Sequence, residues 1–271
     1  MAIDRTVIDR GEGTAVVFTH GTLMDHTMFA PQIEALEDRY RVIAYNHRGR
    51  TNRWAETYDL GDLANDCRHV LDERGIEKCV LGGMSMGGFM AFEFARMWPE
   101  RLHGLILIDT KAAPFDLGQQ ENVLRDYGNA DVDGLLPHDV AEVAVARCFG
   151  ATTIERNPRL VAHWVARWRK LPARSVYNEV RSWLGKADNR PELANIDVPA
   201  LILHGEEDSI FPVSVAEEIE AGISRARLVL IPRAGHTANL EQPELSNEAI
   251  LDFLGSAFGG HGERRQPHRV G

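Results

Sequence analysis

Six short apolar runs recur along the chain, Val16–Thr19, Val42–Tyr45, Lys78–Leu81, Leu105–Ile108, Ala200–Leu203 and Leu228–Ile231, each ending in Gly, Asp, Asn, His or Pro. Longer stretches at helical spacing separate them. A strand buried on both faces reads as a continuous apolar run, and burying both faces requires helices above and below it. The alternation therefore predicts an α/β fold, a mostly parallel sheet flanked by helices, with function at the C-terminal ends of the strands. A chain of 271 residues without repeats or a long polar linker suits one large domain of this kind.

Between Ala113 and about Arg190 the alternation stops, and amphipathic helical segments follow one another without strands between them. This predicts a helical cap at 113–190 inserted into a core made of 1–112 and 191–258. In one segment Leu160, Val161, Trp164, Val165 and Trp168 share a face, and Val140–Cys148 and Val176–Leu184 continue the layer. Packing between cap and core accounts for Trp164, Trp168 and Trp183, while a pocket roof is the alternative for Trp164 and Trp183. Residues 259–271, polar and basic, read as a tail whose two histidines do not form a metal site.

The run Lys78–Leu81 leads into Gly82-Gly83-Met84-Ser85-Met86-Gly87-Gly88 and a helical stretch at Phe89–Met97. This is GxSxG in a strand-turn-helix setting, where a sharp turn lifts a serine hydroxyl above the sheet and glycines remove the Cβ atoms that would collide. A phosphate-cradling loop is the rival, but neither GxGxxG nor GK[ST] can be read there. A serine hydroxyl is a weak nucleophile and needs a base, which in turn needs an orienting acid. Asp208 follows the run Ala200–Leu203 in His204-Gly205-Glu206-Glu207-Asp208, and His236 follows Leu228–Ile231. Ser85, Asp208 and His236 thus stand in the order nucleophile, acid, base, each beyond a strand end. Asp109 also ends a strand and is the competing acid, although a polar strand terminus explains it as well.

An oxyanion intermediate needs donors, and Thr19-His20-Gly21-Thr22-Leu23 follows an early strand expected to neighbour the nucleophile strand. The backbone amides of Thr22 and Met86 are the candidates, each typically worth about 3–4 kcal/mol to a transition state. His20 reads as a residue that holds this loop, and Leu23, Trp164 and Trp183 are candidate substrate contacts.

These motifs resemble the α/β-hydrolase superfamily from Val16 to Phe258. The similarity is to capped, esterase-like members, among them 3-oxoadipate enol-lactonases and small carboxylesterases. It is carried by His20-Gly21, GMSMGG at 83–88, HGEED at 204–208 and GHTANLEQP at 235–243. The resemblance implies acyl transfer from a small ester or lactone to water, with no cofactor or metal. Serine at the elbow disfavours the aspartate chemistry of dehalogenases and epoxide hydrolases. Carbon–carbon bond hydrolysis, acyl transfer to another acceptor, perhydrolysis and non-catalytic ligand binding remain alternatives. One stretch departs from the family pattern DxRGxGxS: Asn46-His47-Arg48-Gly49-Arg50-Thr51-Asn52-Arg53 keeps Arg48 and Gly49 only. Arg50 and Arg53 read as solvated surface residues, with contact to a substrate carboxylate as the alternative.

The remaining composition sets bounds on partners. Thirty Lys and Arg against 40 Asp and Glu give a net charge of −10, which disfavours nucleic acid or an anionic membrane as partner. Three scattered cysteines suggest neither a disulfide framework nor a metal motif, and the N-terminal stretch lacks an uninterrupted apolar segment. A cytoplasmic location is the expectation.

Overall fold

Strands β2 (Ala15–Thr19), β4 (Cys79–Met84) and β6 (Ala200–Gly205) are buried at every position, as continuous apolar runs demand. They belong to a seven-stranded sheet with β1 (Val7–Arg10), β3 (Arg41–Tyr45), β5 (Leu102–Ile108) and β7 (Ala226–Ile231), in the order β1-β3-β2-β4-β5-β6-β7. The computed structural model describes residues 7–258, so the expected tail at 259–271 lies outside the described residues. All pairings are parallel except that of β1 with β3. Strand β1 was not anticipated, because VIDR is a half-exposed edge strand with no apolar run. Strand β5 starts three residues before its apolar run, since exposed His103 and small Gly104 interrupt the hydrophobic signal while the ladder continues.

The chain turns back across the sheet between β3 and β4, so β2 and β4 flank the point where strand order reverses and where α/β sheets open a crevice. Register matters here: Thr19 pairs with Gly83, and Met84 with Ile108. The loops after β2, β4 and β5 therefore emerge side by side. Helices α1 (Ala30–Leu36), α2 (Leu60–Glu73) and α3 (Met86–Met97) follow the early strands. Helix α2 starts with a capping box, Asp59 accepting from the Asp62 amide and Asp62 from that of Asp59.

Five helices stand between β5 and β6, all inside 113–190: α4 (Leu117–Tyr127), α5 (His138–Cys148), α6 (Ala151–Arg156), α7 (Pro158–Trp168) and α8 (Ala173–Leu184). The sequence favours their boundaries. Asp116 and Gln119 form a capping box on α4, and Asn157 caps α7 with Pro158 in its first turn. Trp168 is fully buried and stacks on Phe149 at 5.9 Å. The fold then closes with α9 (Val213–Gly222), α10 (Ala238–Glu241) and α11 (Pro243–Phe258). No helix among the described residues is long and apolar enough to cross a membrane.

The entry and exit of the insertion are stapled together by one buried lysine. Lys186 Nζ donates to the carbonyl oxygens of Ala112 at 2.8 Å, Ala113 at 2.9 Å and Ala187 at 3.1 Å. The amide of Asn189 adds a bond to Ala112 O at 3.0 Å. Lys186→Met keeps the apolar stem but leaves these carbonyls without the amine that donates to them. It is expected to lower the unfolding free energy by about 1–3 kcal/mol, read as a lower urea midpoint at constant slope. An unchanged midpoint would show that the staple adds no stability.

Candidate active site

Ser85 sits between β4 and α3 with φ 51° and ψ −111°, a conformation that side-chain-bearing residues rarely adopt and that costs on the order of 1–3 kcal/mol. The surroundings enforce it. The Ser85 amide donates to Ile108 O at 2.9 Å, and Thr110 Oγ1 donates to Ser85 O at 3.0 Å. The turn is too tight for side chains at its flanks: a Cβ on Gly83 would lie 2.3 Å from Gly87 O, and one on Gly87 would lie 2.3 Å from Thr19 O. Glycine at 83 and 87 is thus a steric requirement of the elbow.

The three residues expected from the sequence come together in one hydrogen-bonded chain. Ser85 Oγ donates to His236 Nε2 at 2.8 Å, and His236 Nδ1 donates to Asp208 Oδ2 at 2.7 Å. The other oxygen of Asp208 accepts the amides of Ile210 at 2.8 Å and Phe211 at 3.1 Å. Burial works against the histidine's charge, yet the attraction and hydrogen bond of Asp208 outweigh it and hold the imidazole above its ordinary pKa. Burial likewise opposes ionisation of Asp208, and the His236 charge and hydrogen bond overcome it, leaving that carboxyl below the usual range.

Asp109, the competing acid, is placed differently. It has φ 45°, and its two oxygens accept the amides of Gly205 and Ala238, each at 2.8 Å. Burial and the neighbouring Asp208 push its carboxyl well above the usual range. It ties the acid loop to the histidine loop and makes no hydrogen bond to the imidazole. Glu241, unanticipated, grips the histidine loop from the other side: Oε1 accepts from the amides of Gly235 at 3.0 Å and Thr237 at 3.2 Å, and Oε2 from that of Gly150 at 2.8 Å.

The loop after β2 lies against the elbow. His20 Nε2 accepts the His47 amide at 3.0 Å, which leaves Nδ1–H to donate to Gly21 O at 2.9 Å. Burial holds His20 well below the ordinary histidine pKa, helped by neighbouring His47, so it stays neutral and structural. Thr22 Oγ1 accepts from Trp183 Nε1 at 2.9 Å. Among the described residues, the backbone amides of Thr22 and Met86 have no acceptor, whereas that of Leu23 is bonded to Glu179 Oε2 at 3.2 Å.

A cavity of about 170 Å³ opens above Ser85 and His236, walled by Met84, Phe89, Phe115, Tyr127, Trp183 and Phe211 among others. Its aromatic wall is continuous: the Phe115 ring lies 5.0 Å from Trp183 and 5.9 Å from Phe89, and Phe211 packs 5.2 Å from the His236 ring. Thr22 and Trp183 line it; Leu23 and Trp164 do not. Leu23 is turned into the core, and Trp164 is buried on α7 with the Arg167 guanidinium 5.2 Å from its ring. The expected surface role of Arg50 is also corrected, because its side chain is buried in an ion pair with Glu179 at 2.8 Å. A buried carboxylate on α8 calls for such a countercharge. Arg53 stays half exposed beside Glu56 and Asp66. Phe115, Phe211 and Tyr127 escaped the sequence reading, because single aromatics in loops and helices carry no motif.

Asp109, His204 and Asp208 cluster closely enough to suggest a metal site. Their atoms are already committed: both carboxylates to backbone amides or His236, and His204 Nε2 as donor to Phe211 O at 2.9 Å. Only His204 Nδ1 would be free for an ion, so the cluster is a hydrogen-bonding scaffold.

Residues 14–243 match the sequence profile of the alpha/beta hydrolase fold family. A thermophilic esterase from Thermogutta terrifontis superposes with a TM-score of 0.88 at 32% identity, over 94% of each chain. The enol-lactonase of Burkholderia xenovorans LB400 superposes with a TM-score of 0.84 at 26% identity, over 94% of this chain and 98% of its own. In sequence, 3-oxoadipate enol-lactonase 1 of Acinetobacter baylyi is 29% identical over 246 residues, 89% of either chain.

The two buried carboxyls are separable by titration. Activity that needs neutral His236 should fall in acid with a midpoint above the ordinary histidine value of about 6.5. Asp208→Asn removes the charge that raises this midpoint and disturbs the tautomer, so it should lower kcat by up to about 10⁴ and move the acid limb to lower pH. Asp109→Asn should act chiefly on stability and cost far less in kcat. Profiles of kcat/KM between about pH 5 and 9 decide this. Collapse of activity in folded Asp109→Asn with little change in Asp208→Asn would reverse the assignment.

Proposed function

Since the chain belongs to the alpha/beta hydrolase fold family and is a hydrolase, we propose that it cleaves small, neutral carboxylic esters through Ser85, His236 and Asp208. One observation carries this reading: the unbroken chain from Ser85 Oγ through His236 to Asp208, lying at the floor of an apolar cavity.

The chemistry follows from that geometry. Ser85 Oγ attacks the ester carbonyl as its proton passes to His236 Nε2, and Asp208 stabilises the imidazolium so formed. The negative oxygen of the tetrahedral intermediate takes hydrogen bonds from the amides of Thr22 and Met86. Collapse expels the alcohol, which leaves with the proton from His236, and an acyl group remains on Ser85. A water then gives its proton to His236, attacks the acyl carbon and releases the acid, returning the proton to Ser85. The insertion, acting as a cap, governs access, because Trp183 and residues of α4 and α5 form the far wall of the cavity.

The walls favour a neutral ester over an anionic lactone. Arg147 is the only lysine or arginine among the described residues lining the cavity, and its Nη2 is bound to Asp126 Oδ2 at 2.7 Å, also on the wall. That pair offers a substrate carboxylate little net positive charge. The lactone named for the 3-oxoadipate enol-lactonases carries such a carboxylate, whereas an aryl or short alkyl ester finds the aromatic side of the wall, Phe89, Phe115, Trp183 and Phe211.

Purified enzyme should hydrolyse phenyl and 4-nitrophenyl esters of short acids with higher kcat/KM than lactones bearing a carboxylate. Ser85→Ala should lose about 10⁴ to 10⁶ in kcat while keeping the wild-type circular dichroism spectrum and melting temperature. Near wild-type turnover by that folded variant would defeat the serine mechanism, and a clear preference for anionic lactones would defeat the substrate class.

A further inference from the structure

A carboxylate and an arginine with no direct access to the reacting atoms are buried together beside the loop that carries Thr22. Glu179 Oε2 accepts the Leu23 amide at 3.2 Å and Arg50 Nη2 at 2.8 Å, and Arg50 Nε in turn donates to Met24 O at 3.0 Å. One turn further along α8, Trp183 Nε1 donates to Thr22 Oγ1 at 2.9 Å. Three successive residues are thus gripped at three different atoms, by α8 directly or through its ion-pair partner. The grip meets a need, since Leu23 has φ 68°, a left-handed conformation unfavourable for a branched residue. The fold also makes room for it: a Cβ on Gly49 would stand 2.8 Å from Glu179 Oε1.

We propose that Glu179, with Arg50 and Trp183, is a positioning residue for the oxyanion donor, fixing the Thr22 amide toward Ser85 so that helix α8 is part of the apparatus that sets kcat. This rests on the ester-hydrolase reading above and deepens it. Stability alone does not account for the arrangement. A buried ion pair is commonly replaceable by apolar residues of similar volume without loss of stability, because the two desolvation penalties offset the attraction. What such a replacement would remove is the grip on the loop, the hydrogen bonds of the Leu23 amide and the Met24 carbonyl.

The test uses that difference. The double variant Arg50→Met/Glu179→Met leaves no unpaired buried charge and is expected to fold, with its melting temperature lowered only by the Leu23 amide and Met24 carbonyl left without partners. Its kcat for phenyl acetate should nevertheless fall ~10- to 100-fold with little change in KM. Affinity for phenylboronic acid, whose tetrahedral adduct on Ser85 places an oxygen among the oxyanion donors, should fall by a similar factor. Trp183→Phe, which keeps the ring but loses the donor, should shift both quantities in the same direction. Arg50→Met/Glu179→Gln, whose amide oxygen can still accept from Leu23 with no buried guanidinium left unpaired, should recover most of the rate lost by the double methionine variant. If either the double variant or Trp183→Phe, shown to be folded, kept kcat and boronate affinity within about twofold of wild type, the positioning role would be overturned. Wild-type enzyme that turned over no ester would instead overturn the ester-hydrolase reading and this inference with it.

Discussion

The backbone of Ser85 stands in a region that side-chain-bearing residues avoid, and the rest of the site is organised around holding it there. Strain of on the order of 1–3 kcal/mol persists only where neighbours overdetermine the conformation. Here β5 supplies the acceptor for the Ser85 amide, Thr110 caps its carbonyl, and glycines at 83 and 87 let the turn close on itself and on Thr19. The result is a hydroxyl raised above the sheet at the point where strand order reverses, within reach of loops from three other strands.

Those loops are fixed by a recurring device, a buried carboxylate that accepts backbone amides. Asp109 joins the acid and histidine loops, Glu241 joins the histidine loop to the start of α6, and Glu179 joins the oxyanion loop to α8. Buried amides in irregular loops would otherwise lack partners, and a carboxyl group with two oxygens can take amides from two loops at once. Asp208 differs from these three in one respect. It too accepts loop amides, but its second oxygen faces the imidazole, and that contact extends a structural motif into the hydrogen-bonded chain on which the proposed proton transfer rests.

What was legible in the sequence divides along physical lines. That Ser85, Asp208 and His236 come together could be read because each follows an apolar run and sits in a short local motif, so fold and candidate site shared one signal. The closeness of Thr22 to Met86 followed from the adjacency of β2 and β4. The pairing of Arg50 with Glu179 could not be read, since the partners are 129 positions apart and an arginine in a polar loop looks solvated. Strand β1 was silent because an edge strand needs no apolar run, and Trp164 was indistinguishable from Trp183 because both lie on amphipathic helices. Only the tertiary fold puts one in the cavity wall and the other beneath Arg167.

The proposed ester hydrolysis depends on Ser85 acting as a nucleophile activated by His236. Stoichiometric labelling with diethyl 4-nitrophenyl phosphate tests it most directly, because Ser85 Oγ would displace nitrophenolate and retain the diethylphosphoryl group. One such group per chain is expected by intact mass, located at Ser85 by peptide mapping, with activity lost in proportion and labelling slowed at least ~100-fold in His236→Ala. An active enzyme that acquired no label, or acquired it at another residue while Ser85 stayed free, would contradict it.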